Sequence, residues 1–69
     1  MGGGMSEIDD LKAEIKKLSA QAIKAKMDLH DLSEELPVGW QTVASVATQT
    51  QTAYQKLHEA RERLKSLEG

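Results

Sequence analysis

The chain has no cysteine and no phenylalanine, a single proline, and only two aromatic residues, Trp40 and Tyr54. Without cysteine there is no disulfide framework, no thiolate metal site and no thiol catalysis. No apolar run approaches the ~18 residues of a membrane span, and no basic-plus-apolar signal peptide is recognisable. The expectation is therefore a soluble, cytoplasmic protein with no membrane partner. Basic residues are not in excess either. Nine Lys and Arg face eleven Asp and Glu, for a formal net charge of −2, so the electrostatic footprint of a nucleic-acid binder is missing. Three of the five glycines fall in Met1-Gly2-Gly3-Gly4-Met5. Residues 1–4 read as a cloning scar ahead of a start at Met5, leaving residues 5–69 as one small domain. A core of this size supplies only ~3–5 kcal/mol, and with disulfides excluded the remaining reinforcements are a metal or a partner chain.

What the chain does have is periodicity. Ser6 opens a segment as a helix cap, followed by Glu7, Asp9 and Asp10 where the helix dipole favours acids. Apolar or small residues then recur at Ile8, Leu11, Ile15, Leu18, Ala22, Ala25, Leu29, Leu32 and Leu36, alternately three and four apart. This is an a/d heptad seam, and it predicts a helix from about residue 7 to about 35. Leu36-Pro37-Val38-Gly39-Trp40 is the turn signal, because a residue before proline avoids the α region. A second helix is predicted from about 41 to about 67, with its seam at Val43, Val46, Thr50, Ala53, Leu57, Ala60, Leu64 and Leu67. Val43, Val46 and the threonines lower helix propensity near its start and predict a tight or frayed first turn.

The two seams register without a slip. Ile8 with Leu67, Leu11 with Leu64, Ile15 with Ala60 and Leu18 with Leu57 all have residue numbers adding to 75. So do Ala22 with Ala53, Ala25 with Thr50, Leu29 with Val46 and Leu32 with Val43. A constant sum defines an antiparallel pair, so the fold class is all-α, an antiparallel two-helix hairpin. Ala22, Ala25, Thr50 and Ala53 make two thin layers where the backbones approach closest. The acidic first turn of helix 1 falls beside Arg61, Arg63 and Lys65 of helix 2. Surface pairs of this kind are worth under ~1 kcal/mol each and refine orientation only.

One hairpin leaves apolar groups uncovered. Ala20, Ile23, Met27 and His30 lie at heptad positions f, b, f and b of helix 1, far around the helix from its seam. Trp40, Ala47 and Tyr54 lie at position e of helix 2, beside its seam. The bland alternative is scattered surface hydrophobes. The preferred expectation is a homodimer interface of Ile23, Met27, His30, Trp40, Ala47 and Tyr54, through which two hairpins form a rod-like four-helix bundle.

Chemistry-bearing groups are sparse. His30/Glu34 and His58/Glu62 are i, i+4 pairs, each able to offer a nitrogen and an oxygen to one ion. The register places His58 opposite Lys17, ~20 Å along the rod from His30, so the two histidines cannot share a metal within one chain. His58 reads as a surface residue. His30 continues the Ile23/Met27 stripe, and a two-fold axis there would join two imidazoles, with Asp31 or Glu34, around Ni²⁺, Zn²⁺ or Cu²⁺. A packed or solvent-facing interface histidine is the competing reading. No cofactor is required on either reading. The serines at 6, 19, 33, 45 and 66 lack a positioned base and no glycine-rich loop cradles phosphate, so the expectation is a non-enzyme.

The stretch Lys26-Met27-Asp28-Leu29-His30-Asp31-Leu32-Ser33-Glu34-Glu35-Leu36-Pro37 carries a resemblance. With it go Trp40, Val46-Ala47, Thr50, Ala53-Tyr54 and the upstream Leu11-Lys12-Ala13-Glu14-Ile15-Lys16-Lys17-Leu18. Together they resemble the small Rop-like two-helix proteins encoded in bacterial nitrogen-fixation gene clusters. The likeness spans Met5 to about Glu68. It implies a helical-hairpin dimer, an accessory role in nitrogen fixation through an unidentified nitrogen-fixation protein, and a family histidine, associated with metal binding, that falls on His30. The alternative it carries is a Rop-like RNA-binding regulator, against which the acidic balance argues.

Overall fold

The computed structural model describes residues 7–69. The scar read at residues 1–4, the start at Met5 and the Ser6 cap lie outside the described residues. Helix α1 spans Glu7–Glu35, a 3-10 turn spans Trp40–Thr42, and helix α2 spans Val43–Glu68. The two helices lie antiparallel in a flat rod of 54 × 19 × 13 Å.

Burial follows the seams except at their ends, where Leu36, Val43 and Leu67 are exposed. Leu11, Ala22, Leu57 and Ala60 are buried, and Ile8, Ile15, Leu18, Ala25, Leu29, Leu32, Val46, Thr50, Ala53 and Leu64 are half-buried. The register is visible at Thr50, whose hydroxyl lies within hydrogen-bond distance, 3.2 Å, of the Ala25 carbonyl across the interface, the layer that the constant sum pairs. The same hydroxyl lies 2.9 Å from the Val46 carbonyl of its own helix. At the open end, Lys12 Nζ reaches Glu68 Oε2 at 3.7 Å. Arg63 of α2 shares a groove with Glu7, Asp10 and Glu14 of α1. Of the three bases expected beside the acidic first turn, Arg63 is there, whereas Arg61 and Lys65 border another groove with Ile15 and Glu68.

The turn is tighter than periodicity predicts. Helix α2 begins at Val43, two residues after the expected start near Gln41, and the 3-10 turn Trp40–Thr42 ahead of it agrees with the tight first turn expected there. Val38 N–H bonds the Glu35 carbonyl at 2.9 Å, Trp40 N–H that of Pro37 at 3.2 Å, and Thr42 N–H that of Gly39 at 2.9 Å. Each spans three residues, the 3-10 pattern. The Thr42 hydroxyl also donates to the Gly39 carbonyl, at 2.8 Å, instead of capping α2. Gly39 adopts φ 80°, the left-handed conformation glycine tolerates best. A Cβ placed there would lie 3.0 Å from Leu32 Cδ1, so the turn backbone packs directly onto the last seam layer. The Leu36–Pro37 peptide is cis.

Candidate functional site

In an antiparallel pair, position e of one helix borders position e of the other, and g borders g. Both edges are marked here. Lys12 and Glu68, both at e, pair on one edge; Glu14, Gln21, Lys56 and Arg63, all at g, line a groove on the other. Positions e, b and f follow one another around a helix, so Ile23 and His30 of α1 and Ala47 and Tyr54 of α2 open to one broad side of the ribbon. Met27 stands at its outer border. Ile23 is 53% exposed and Met27 60% exposed, with Tyr54 also exposed. Asp28, Asp31 and Glu35 occupy g and c, so these carboxylates flank the opposite side. In the turn-proximal half the e/b side is left without them, with Lys26 at e as its one fully charged residue.

Trp40 departs from this arrangement. Its e position presumes an α-helix running back through the turn. It lies instead in the 3-10 segment, whose 120° per residue rotates it by about 60° from the α2 e ridge. It stands at the end of the rod, 63% exposed.

His30 is solvent-facing. Its Nε2 lies 3.5 Å from Glu34 Oε2 and its Nδ1 lies 3.8 Å from Asp31 Oδ1. The structure thus gathers His30, Asp31 and Glu34 at one spot. Among the described residues, no group of three or more His, Cys, Asp or Glu is disposed to hold a metal ion, so a site at His30 needs donors from a second chain. The groove on the g edge, about 400 Å³, alternates Glu14 and Glu59 with Lys17, Lys56 and Arg63. No histidine, serine or cysteine lines it, so it holds no nucleophile–base pair. Sequence reasoning did not foresee the Thr50–Ala25 contact, although a threonine at a seam position opposite alanine was its signal. It also passed over Leu36 and Val38 at the tip.

A Rop-like family model matches residues 6–69. The chain belongs to the Rop-like family. A relative from Azorhizobium caulinodans, named a UPF0437 protein, is 56% identical over 65 residues, covering 94% of each chain. One from Frankia alni is 44% identical over 43 residues, covering 62% of this chain and 52% of its own, and is named for its position in the nifX-nifW intergenic region. A solved NMR structure of a protein 54% identical superposes with a TM-score of 0.83, covering 93% of this chain and 92% of that one. A two-helix Rop-like hairpin is not a typical enzyme fold, and no described helix is long and apolar enough to cross a membrane.

Proposed function

We propose that this Rop-like protein is a non-enzymatic accessory factor of nitrogen fixation, acting in the cytoplasm as a homodimer through protein–protein contact. The observation that carries the reading is the place of the Frankia alni relative between nifX and nifW. The Ile23/Met27/Tyr54 side supports the dimer, because it is apolar, exposed and free of the carboxylates on the opposite side. The acidic balance, nine Lys and Arg against eleven Asp and Glu, argues against RNA binding.

Deleting the gene from a nitrogen-fixing host should leave growth on ammonium unchanged and slow growth on dinitrogen. The parent chain should restore it and Met27→Glu should not. Equal growth of deletion and parent on dinitrogen would refute the reading.

In the dimer, His30 of each chain, with Glu34 or Asp31, would hold Ni²⁺, Zn²⁺ or Cu²⁺ weakly. The ion would not be needed for folding. Titrating Ni²⁺ or Zn²⁺ should shift amide resonances around His30, and His30→Ala should abolish those shifts while His58→Ala spares them. Shifts centred on His58 would dismiss the site.

A further inference from the structure

The turn end of the rod differs from the rest in both polarity and charge. Leu36, Val38 and Trp40 project from it, Val38 at 71% exposure. Successive three-residue hydrogen bonds hold them on a fixed backbone, so little ordering entropy remains to be lost on binding. All nine Lys and Arg lie at residues 12–26 and 56–65. Residues 27–55 carry only Asp28, Asp31, Glu34 and Glu35 as full charges, all on the closing turns of α1 and all exposed. Asp28 is paired with Lys24 at 3.3 Å, so the end of the hairpin is an apolar knob beside an acidic collar of Asp31, Glu34 and Glu35 on α1.

We propose that this tip docks its Leu36, Val38 and Trp40 into an apolar cleft bordered by Lys or Arg on a different protein. The inference rests on the reading of the chain as a protein-binding accessory factor and names the surface and the chemistry of its partner. Charge complementarity selects the occupant. A nucleic acid or an anionic bilayer would meet the exposed carboxylates of Asp31, Glu34 and Glu35, with no Lys or Arg between residues 27 and 55. A second copy set tip to tip would bring two acidic collars together. The apolar side chains supply the desolvated centre and the acids the rim that steers and orients encounter. The surface is separate from the e/b side assigned to the dimer.

A photo-reactive residue at position 38 of the full chain, in nitrogen-fixing cells, tests this. The expected product is an adduct with a different polypeptide, mapped to an apolar surface bordered by Lys or Arg. Combining Asp31→Lys with Glu35→Lys should lower its yield about fivefold or more, since rim charge governs the rate of encounter, with helicity unchanged by circular dichroism. If that variant loses helicity, Asp31→Asn with Glu35→Gln replaces it and should lower the yield at least about twofold. Ala13→Leu, exposed, off the seam and far from the tip, should leave the adduct in place. No adduct, an adduct with a second copy or with lipid, a mapped surface without basic residues, indifference to the charge variants, or loss of the adduct in Ala13→Leu would each overturn the proposal. An adduct that persists while the deletion strain grows normally on dinitrogen would keep the tip as a docking site and discard only the nitrogen-fixation role.

Discussion

Ala22 has no exposed surface at all, and it sits in a seam layer with Ala53. Ala22→Leu forces extra side-chain volume where the helices meet most closely, and overpacking of this kind costs about 1–3 kcal/mol. Ala13 is exposed and off the seam, so Ala13→Leu should change the urea midpoint very little. Equal midpoints for parent and Ala22→Leu would contradict the packing. At this scale the seam was legible because burial in a two-helix protein depends almost wholly on azimuth, and azimuth follows from residue number. The Thr50 hydroxyl was not, since a side chain's choice between its own helix and the neighbouring carbonyl depends on a separation of a few tenths of an ångström. His30 was legible as a meeting point with Glu34 and Asp31 because i, i+1 and i, i+4 neighbours are fixed by the helix itself.

Helix α1 begins well and ends badly by the rules of its own dipole. Glu7, Asp9 and Asp10 favour its positive end, yet its last turn has no basic residue and carries Glu34 and Glu35 against the negative end. Glu35→Lys should therefore stabilise the fold by about 0.3–1 kcal/mol, read as a higher urea midpoint. The same change should weaken engagement of the acidic tip. Stability given up at one position for the sake of binding is a recurrent pattern in natural proteins. The bounds of α1 and the antiparallel pairing could be read from the chain because a long seam repeats its information at every layer. The start of α2 could not, since three residues of 3-10 turn depend on one left-handed glycine and one threonine hydroxyl, neither of which leaves a periodic trace.

As a whole, the rod is thin: at 19 × 13 Å in cross-section, two helices cannot enclose more than one line of side chains. Half-burial of most seam residues follows, and so does the exposure of Ile23 and Met27. Sedimentation of the purified chain without metal should show a dimer at tens of micromolar. Met27→Glu should shift it toward monomer and lower its melting temperature, because stability coupled to association depends on protomer concentration. A folded monomer for the parent chain would refute the dimer. The side that association would use was legible as a stripe. The separateness of Trp40 from that side was not, because heptad positions cannot be extrapolated through a turn.

The constant-sum register also sets an order of events in time. Leu32 and Val43 are separated by a short stretch of chain, and each further layer encloses a longer loop, out to Ile8 and Leu67 at the opposite end. Loop-closure entropy rises with that length, so chain collapse should begin at the turn and zip outward. The buried residues Leu11, Leu57 and Ala60 lie toward the open end, with Ala22 near mid-length. The part that forms first is therefore not the part that holds longest. In stopped-flow measurements Gly39→Ala should mainly slow folding, whereas Leu57→Ala should mainly speed unfolding. Amides flanking Leu57 and Ala60 should exchange with solvent more slowly than those near Val43.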